Sequence, residues 1–289
     1  MEQTIKKPRF TKRQRTRIKH GILHIVLLLC SVGFMFPFLW MLFTALKTPQ
    51  ELLLGFEQFF PADPQWGNFK EAVTMIPFLL YLKNSLIIVI LVVTGTLFSA
   101  TTTAYAFAKL RWKGKEKWFI IMLATLMIPI QVILIPTYVM YSYIGWLSTR
   151  LPLIVPAFFG GGAAFYIFLL RQFFMGVPKE LSESAVIDGA SHIQIFFKIM
   201  LPLSKPALMT VGLFTFMATW NDYFGPLIFL SNPDHWTLAI GLRAFQTRFG
   251  GRYDLMMAAS ILVMLPTLVI FFFAQKSFIE GITFTGIKG

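Results

Sequence analysis

Between Arg171 and Lys205 the chain reads RQFFMGVPKELSESAVIDGASHIQIFFKIMLPLSK, and the rest of the fold is read outward from there. Arg171, Lys179, Glu180, Glu183, Asp188, Lys198 and Lys205 all fall within it. A charge at mid-bilayer costs roughly 2.5–3.5 kcal/mol on an insertion scale, so the stretch does not cross a membrane. It is nevertheless far longer than the usual connection between packed helices, and it is patterned. Pro178 suits a helix start, and Glu180 and Glu183 follow in the first turns, where negative charge favours the helix dipole. Gly189 supplies a stop or a sharp turn. A second short helix is expected from Ser191 to Met200, with Ile193, Phe196, Phe197 and Met200 on one face, and Pro202 and Pro206 end it. Two short helices joined at a glycine, at about 178–201, make either a surface helix resting in lipid headgroups or a docking element for another protein.

The runs on both sides of this element are apolar enough to span. Of the 289 residues, 56% are hydrophobic and only 13% charged, and the mean hydropathy is +0.67. Soluble domains use roughly 45–50% apolar residues and about twice as many charges, so lipid is the solvent for much of this chain. Spans are expected at about 21–46, 82–108, 118–143, 153–174, 206–230 and 254–275, each long enough at 1.5 Å per residue for a ~30 Å hydrocarbon layer. The first exceeds the core of a signal peptide and lacks a small-residue cleavage site, so it is expected to remain as a helix. Pro129, Pro136, Pro156, Pro226 and Pro266 lie inside these runs, where neighbouring helices can re-satisfy freed carbonyls. The expected organisation is a basic tail at 1–20, one membrane domain at 21–275 and a tail at 276–289.

Orientation follows from Lys and Arg. The tail 1–20, the loop 109–117, the stretch 171–205 and residues 276–289 hold nineteen of them, whereas the alternate side holds seven. Both termini and the 171–205 element are therefore expected in the cytoplasm, and the alternation supports six spans. The net charge of +13 belongs to these membrane-flanking loops rather than to nucleic-acid binding.

Few residues carry chemistry. Cys30 is the single cysteine, which excludes an intramolecular disulfide. The nearest fragment to a phosphate loop, Lys113-Gly114-Lys115-Glu116, lacks the first glycine and the hydroxyl, so this chain is not expected to hydrolyse ATP. His20 and His24 are four apart, but no carboxylate or thiol lies near them, and His192 and His235 are isolated. No catalytic constellation for a membrane-embedded enzyme emerges, and no metal site is expected. A gradient-driven carrier would bury ionisable groups at mid-membrane and repeat its halves. Only Asp222 fits, with Asn221 beside it as a candidate pathway pair; the plain alternative is a helix-end acid bonded to a neighbour. The 32 phenylalanines are ordinary lipid-facing filler, and Gly160-Gly161-Gly162 marks close helix packing or local flexibility.

Glu183-Ser184-Ala185, Asp188-Gly189-Ala190 and Ile199-Met200-Leu201-Pro202 together resemble the EAA motif of binding-protein-dependent ABC importer permeases, with Ser184 in place of the first alanine. Asn84-Ser85-Leu86, Ala104-Tyr105-Ala106-Phe107-Ala108, Ile128-Pro129 through Ile135-Pro136 and Trp220-Asn221-Asp222 agree with it. The tail from Gln275 through Ile282-Thr283 to Lys288-Gly289 is similar to the carbohydrate branch, the maltose-permease-like members in particular. The resemblance implies an all-α, six-span type I permease of a prokaryotic cytoplasmic membrane, working by alternating access on a sugar. It further implies a second permease chain, in this family often a different protein, two ATPase subunits holding ATP and magnesium, and an extracytoplasmic binding protein. Permeases for other solutes share the motif. Glu183, Ala185, Asp188 and Gly189 would then lie at the ATPase contact, supported by Phe196, Phe197, Leu201 and Pro202.

Overall fold

The structure, a computed structural model, describes residues 12–247 and 251–283. Most of the basic tail and the final Lys288-Gly289 lie outside the described residues. Among the described residues every regular element is helical. Three helices are long and apolar enough to cross a bilayer alone: α1 (Lys12–Ala45), α4 (Phe78–Lys109) and α15 (Tyr253–Thr283). They cover the apolar runs expected at about 21–46, 82–108 and 254–275.

The other three expected spans are broken. In the third, α5 (Lys115–Ala124) runs into a 3-10 turn at Thr125–Met127, and α6 (Ile130–Tyr143) leaves at 96°. Pro129 is the cause: it offers no N–H, and it forces Ile128 ahead of it into an extended conformation, φ −82° and ψ 115°. The fourth, expected as one helix, is two: α7 (Leu151–Phe158) and α8 (Ala164–Gly176). Gly160 and Gly162 between them take φ of +80° and +73°, which no helix accepts, so the glycine run is a turn. The fifth stops at the end of α12 (Lys205–Trp220) and resumes, after Asn221–Tyr223, as α13 (Phe224–Phe229). By length and composition the described residues hold three candidate crossings, or up to five if Lys115–Met127 with Ile130–Tyr143 and His192–Leu203 with Lys205–Trp220, bent by 78°, each count as one.

Alpha-helix α4 is the axis, packing against α7, α8 and α12, while α1 lies along α15 with the apolar surface of residues 16–38 exposed. Lipid is as apolar as leucine, so helix association here rests on close packing and hydrogen bonds. Ala100, Ala104, Ala157, Ala163, Ala164 and Ala207 are buried accordingly. At Gly95 a Cβ would stand 2.6 Å from the Phe158 ring, so any larger residue would push α7 away from α4. The break after α7 leaves carbonyls without helical donors, and Ser99 Oγ on α4 donates to one, Ala157 O, at 2.7 Å.

Two apolar cores sit at opposite ends of α4. One gathers Phe78, Tyr81, Phe216, Trp220, Phe245 and Leu255 with α3 (Gly67–Met75) and α14 (Leu238–Thr247). The other gathers Tyr105, Phe107, Phe119, Leu170 and Phe174 around the motif-bearing segment. A short helix, α2 (Pro49–Leu53), follows α1 in the connecting loop, where Thr48 and Glu51 form a reciprocal capping box.

Candidate functional site

The 178–201 element is two short helices, as its pattern demands. The first, α9 (Lys179–Ile187), begins after Pro178 in an extended conformation, with Glu180 in its first turn. It ends at Asp188 in a two-bond C-cap: Ala190 N–H donates to Ala185 O at 2.8 Å and Gly189 N–H to Val186 O at 3.0 Å. Gly189 sits at φ +82°, the left-handed value that this cap requires. Ala185 thus supplies the terminal carbonyl, and its methyl and that of Ala190 pack onto the apolar core below.

Ser191 starts the next helix. Its Oγ accepts from Gln194 N–H while Gln194 Oε1 accepts from Ser191 N–H, at 3.3 and 2.8 Å. This Ser-x-x-Gln capping box is legible in the sequence and marks the helix start more sharply than the apolar spacing does. Helix α10 (His192–Ile195) continues through a π turn, Phe196–Met200, into α11 (Leu201–Leu203).

The buried stripe of this segment differs from the expected one. Ile195, Phe196 and Met200 are buried and Ile199 is half-buried, whereas Ile193 and Phe197 are 70% and 59% exposed. The widened turn shifts the stripe by one position relative to a regular α spacing, so Phe197 faces outward and only touches Phe196 edge-on. Leu201 packs on the core and Pro202 is exposed. Glu183, Asp188 and Gly189 are exposed together, beside an open pocket of about 370 Å³ lined by Asp188, Gly189, Ala190, Gln194, Ile195, Lys198 and Ile199.

What holds the element to the membrane helices lies far away in sequence. Tyr105 OH donates to His192 O at 3.3 Å, and Lys109 Nζ to Val177 O at 2.8 Å. Arg171, 7% exposed, bridges to both Glu116 oxygens, donates through Nε to Phe107 O, and lays its guanidinium 4.0 Å from the Phe119 ring centroid. Nothing in the spacing of Arg171 and Glu116 announces this pair.

A second polar cluster stands at the other end of α4. Asn84, fully buried, donates to Asp234 O and Trp236 O at 2.8 and 2.9 Å and accepts from Arg150 Nη2 at 2.6 Å. Ser85 Oγ accepts from Leu238 N–H. Asn221 and Asp222 do not join either cluster. Asn221 Nδ2 bonds back to Met217 O, and Asp222 Oδ1 accepts from Gly225 N–H at 3.1 Å, capping the start of α13.

Comparisons with known proteins give this geometry a context. The family described as "Binding-protein-dependent transport system inner membrane component" matches residues 100–283. The arabinooligosaccharides transport system permease protein AraQ of Halalkalibacterium halodurans is 36% identical over 71% of this chain and 73% of its own. The diacetylchitobiose uptake system permease protein DasC of Streptomyces coelicolor is 33% identical over 89% and 93%. Among solved structures, a chain of a bacterial ABC transporter involved in alginate import superposes with a TM-score of 0.79 at 23% identity, covering 94% of this chain and 100% of that one, which establishes likeness of fold.

Proposed function

This chain belongs to the binding-protein-dependent transport system inner membrane components, and from that premise we propose that it is one of two permease subunits in a type I ATP-driven carbohydrate importer. Six crossings are proposed: α1, α4, the bent α5–α6 pair, the glycine-broken α7–α8 pair, α12 with α13, and α15. Both termini and the α9–α10 element face the cytoplasm, in keeping with nineteen Lys and Arg against seven.

The observation that carries the reading is the α9–Gly189–α10 knob. It is rigid where it meets the protein and bare where it meets solvent: Ala185, Ala190, Ile195, Phe196 and Met200 join the core, while Glu183 and Asp188 stand exposed. Its outer face is mixed, with Glu183 and Asp188 beside exposed Val186, Ile187, Ile193 and Phe197, and acids among apolar side chains suit a protein groove better than an anionic headgroup layer. An ATPase groove closing on ATP and magnesium would push this knob. The push would pass through Tyr105, Lys109 and Arg171 into α4, α5 and α8, tilting the pathway from inward- to outward-facing. A second, homologous permease chain would complete the pathway, and an extracytoplasmic binding protein would deliver the solute. A carbohydrate is favoured because the two relatives are named for arabinooligosaccharides and diacetylchitobiose. Catalysis would belong to the ATPase subunits, and this chain itself would bind no cofactor.

Affinity purification through an N-terminal tag tests the reading. Recovery of an ATPase and a second permease is expected, with ATPase lost on Glu183→Lys while membrane insertion is unchanged. A chain recovered alone from several mild detergents would sink it. A gradient-driven carrier would then be read from Asp222→Asn, which abolishes transport only if that acid carries an ion; here it caps a helix instead.

A further inference from the structure

The connection from α4 to α5 carries a positive surface that no part of the proposed coupling uses. Residues 109–118 read KLRWKGKEKW. Lys109 is committed to Val177 O, and Lys115 Nζ lies 3.3 Å from Leu110 O. Arg111, Lys113 and Lys117 are exposed and form no hydrogen bond or ion pair among the described residues. The loop's single acid does not neutralise them, because both oxygens of Glu116 are held by Arg171. Three free cations therefore lie within seven residues, Arg111 and Lys113 in the connection and Lys117 in the first turn of α5.

The same loop is continuous with a lipid-facing surface. Trp118, Ile120 and Ile121 are 60%, 64% and 54% exposed at the start of an apolar helix, and Trp112 is 39% exposed with its Nε1 donating to Ala106 O. Tryptophan at the border of an apolar helix sits at headgroup level, where its ring is apolar and its N–H is wet. Cations held at that depth meet phosphates rather than bulk water, and each Lys or Arg near an anionic leaflet is worth about 1 kcal/mol, a factor of about five.

We propose that Arg111, Lys113 and Lys117, framed by Trp112 and Trp118, form a binding site for the headgroups of anionic phospholipids. The proposal rests on the cytoplasmic placement of this loop in the reading above. A bound headgroup would fix the height of α5 in the bilayer, and with it the Glu116 carboxylate that grips Arg171.

The test is native mass spectrometry of the detergent-purified complex, titrated with phosphatidylglycerol or with phosphatidylcholine. The wild type is expected to retain phosphatidylglycerol in preference. Arg111→Gln/Lys113→Gln/Lys117→Gln should lower that retention roughly tenfold or more, with Lys117→Gln alone giving a partial loss should the triple variant fail to insert. Lys70→Gln, on α3 near the opposite end of α4, should change nothing. Equal retention by wild type and variant, or equal affinity for the two lipids, overturns the site. Loss of the ATPase with lipid retention unchanged also overturns it, assigning the cations to a protein contact. Because lipid is counted on whatever assembly is recovered, failure of the site and failure of the importer reading give separate results.

Discussion

Arg171 and Glu116, 55 residues apart in sequence, meet through one guanidinium nitrogen that reaches both carboxylate oxygens at 2.8 and 2.9 Å. The two ends of the pair differ: the arginine side chain is 9% exposed and the glutamate 62%. The cost of breaking the pair therefore depends on which partner is removed.

Glu116→Ala leaves a buried guanidinium with only Phe107 O and the Phe119 ring, and it should destabilise the chain by roughly 1–2 kcal/mol after screening of the exposed half. Glu116→Gln keeps an acceptor and should cost less. Thermal unfolding of the purified protein reads both, and equal melting temperatures for wild type and Glu116→Ala would show that the pair contributes nothing.

Gly189 is expected to tolerate asparagine better than alanine. Its φ of +82° costs an ordinary L residue about 1–2 kcal/mol, and asparagine visits that region more readily. Gly189→Pro should do worst, since proline cannot adopt the angle and also removes the N–H bonded to Val186 O. Recovery of the ATPase with each variant should follow the order Gly, Asn, Ala, Pro; any other order separates coupling from the geometry of the cap.

Asn84→Leu should be the most damaging of these changes, at roughly 2–4 kcal/mol. It strands the carbonyls of Asp234 and Trp236 and the Arg150 guanidinium at a fully buried position. A double-mutant cycle with Arg150→Ala should show positive coupling, and additive losses would mean that the 2.6 Å contact is energetically idle.

Glu51 makes the loop after α1 sensitive to acid. The Thr48 N–H holds its carboxyl below the ordinary 4.5, helped by the Ala62 N–H. A depressed carboxyl stabilises above its unfolded value and loses that contribution as pH falls through its folded one. Exchange at the Thr48 and Ala62 amides, corrected for intrinsic rates, should therefore accelerate below about 4.5. Glu51→Gln should show the faster exchange already at neutral pH.

Membrane character, the three unbroken helices and the two-helix knob were legible because each is a local property: apolar length for α1, α4 and α15, and turn chemistry for Pro178 and Gly189. The breaks were half-legible. Pro129 and Gly160–Gly162 announced weak points, yet whether a proline kinks a span or snaps it depends on what re-satisfies the freed carbonyls, and Ser99 is 58 residues from the one it serves. The face of the second knob helix was misread at Ile193 and Phe197 because a π turn departs from the spacing that periodicity assumes. The Arg171–Glu116 and Asn84–Arg150 pairs were illegible, since contacts between distant residues leave no trace in spacing.

Around Gly189 a Cβ would meet no atom within 4 Å, so this position rejects larger residues for no reason of space. Its requirement is one of handedness. A D-alanine introduced there by semisynthesis would take φ near +82° without strain and would stiffen the unfolded chain besides. The mirror-image residue, useless almost everywhere else in a helical protein, would make this turn firmer than nature's choice.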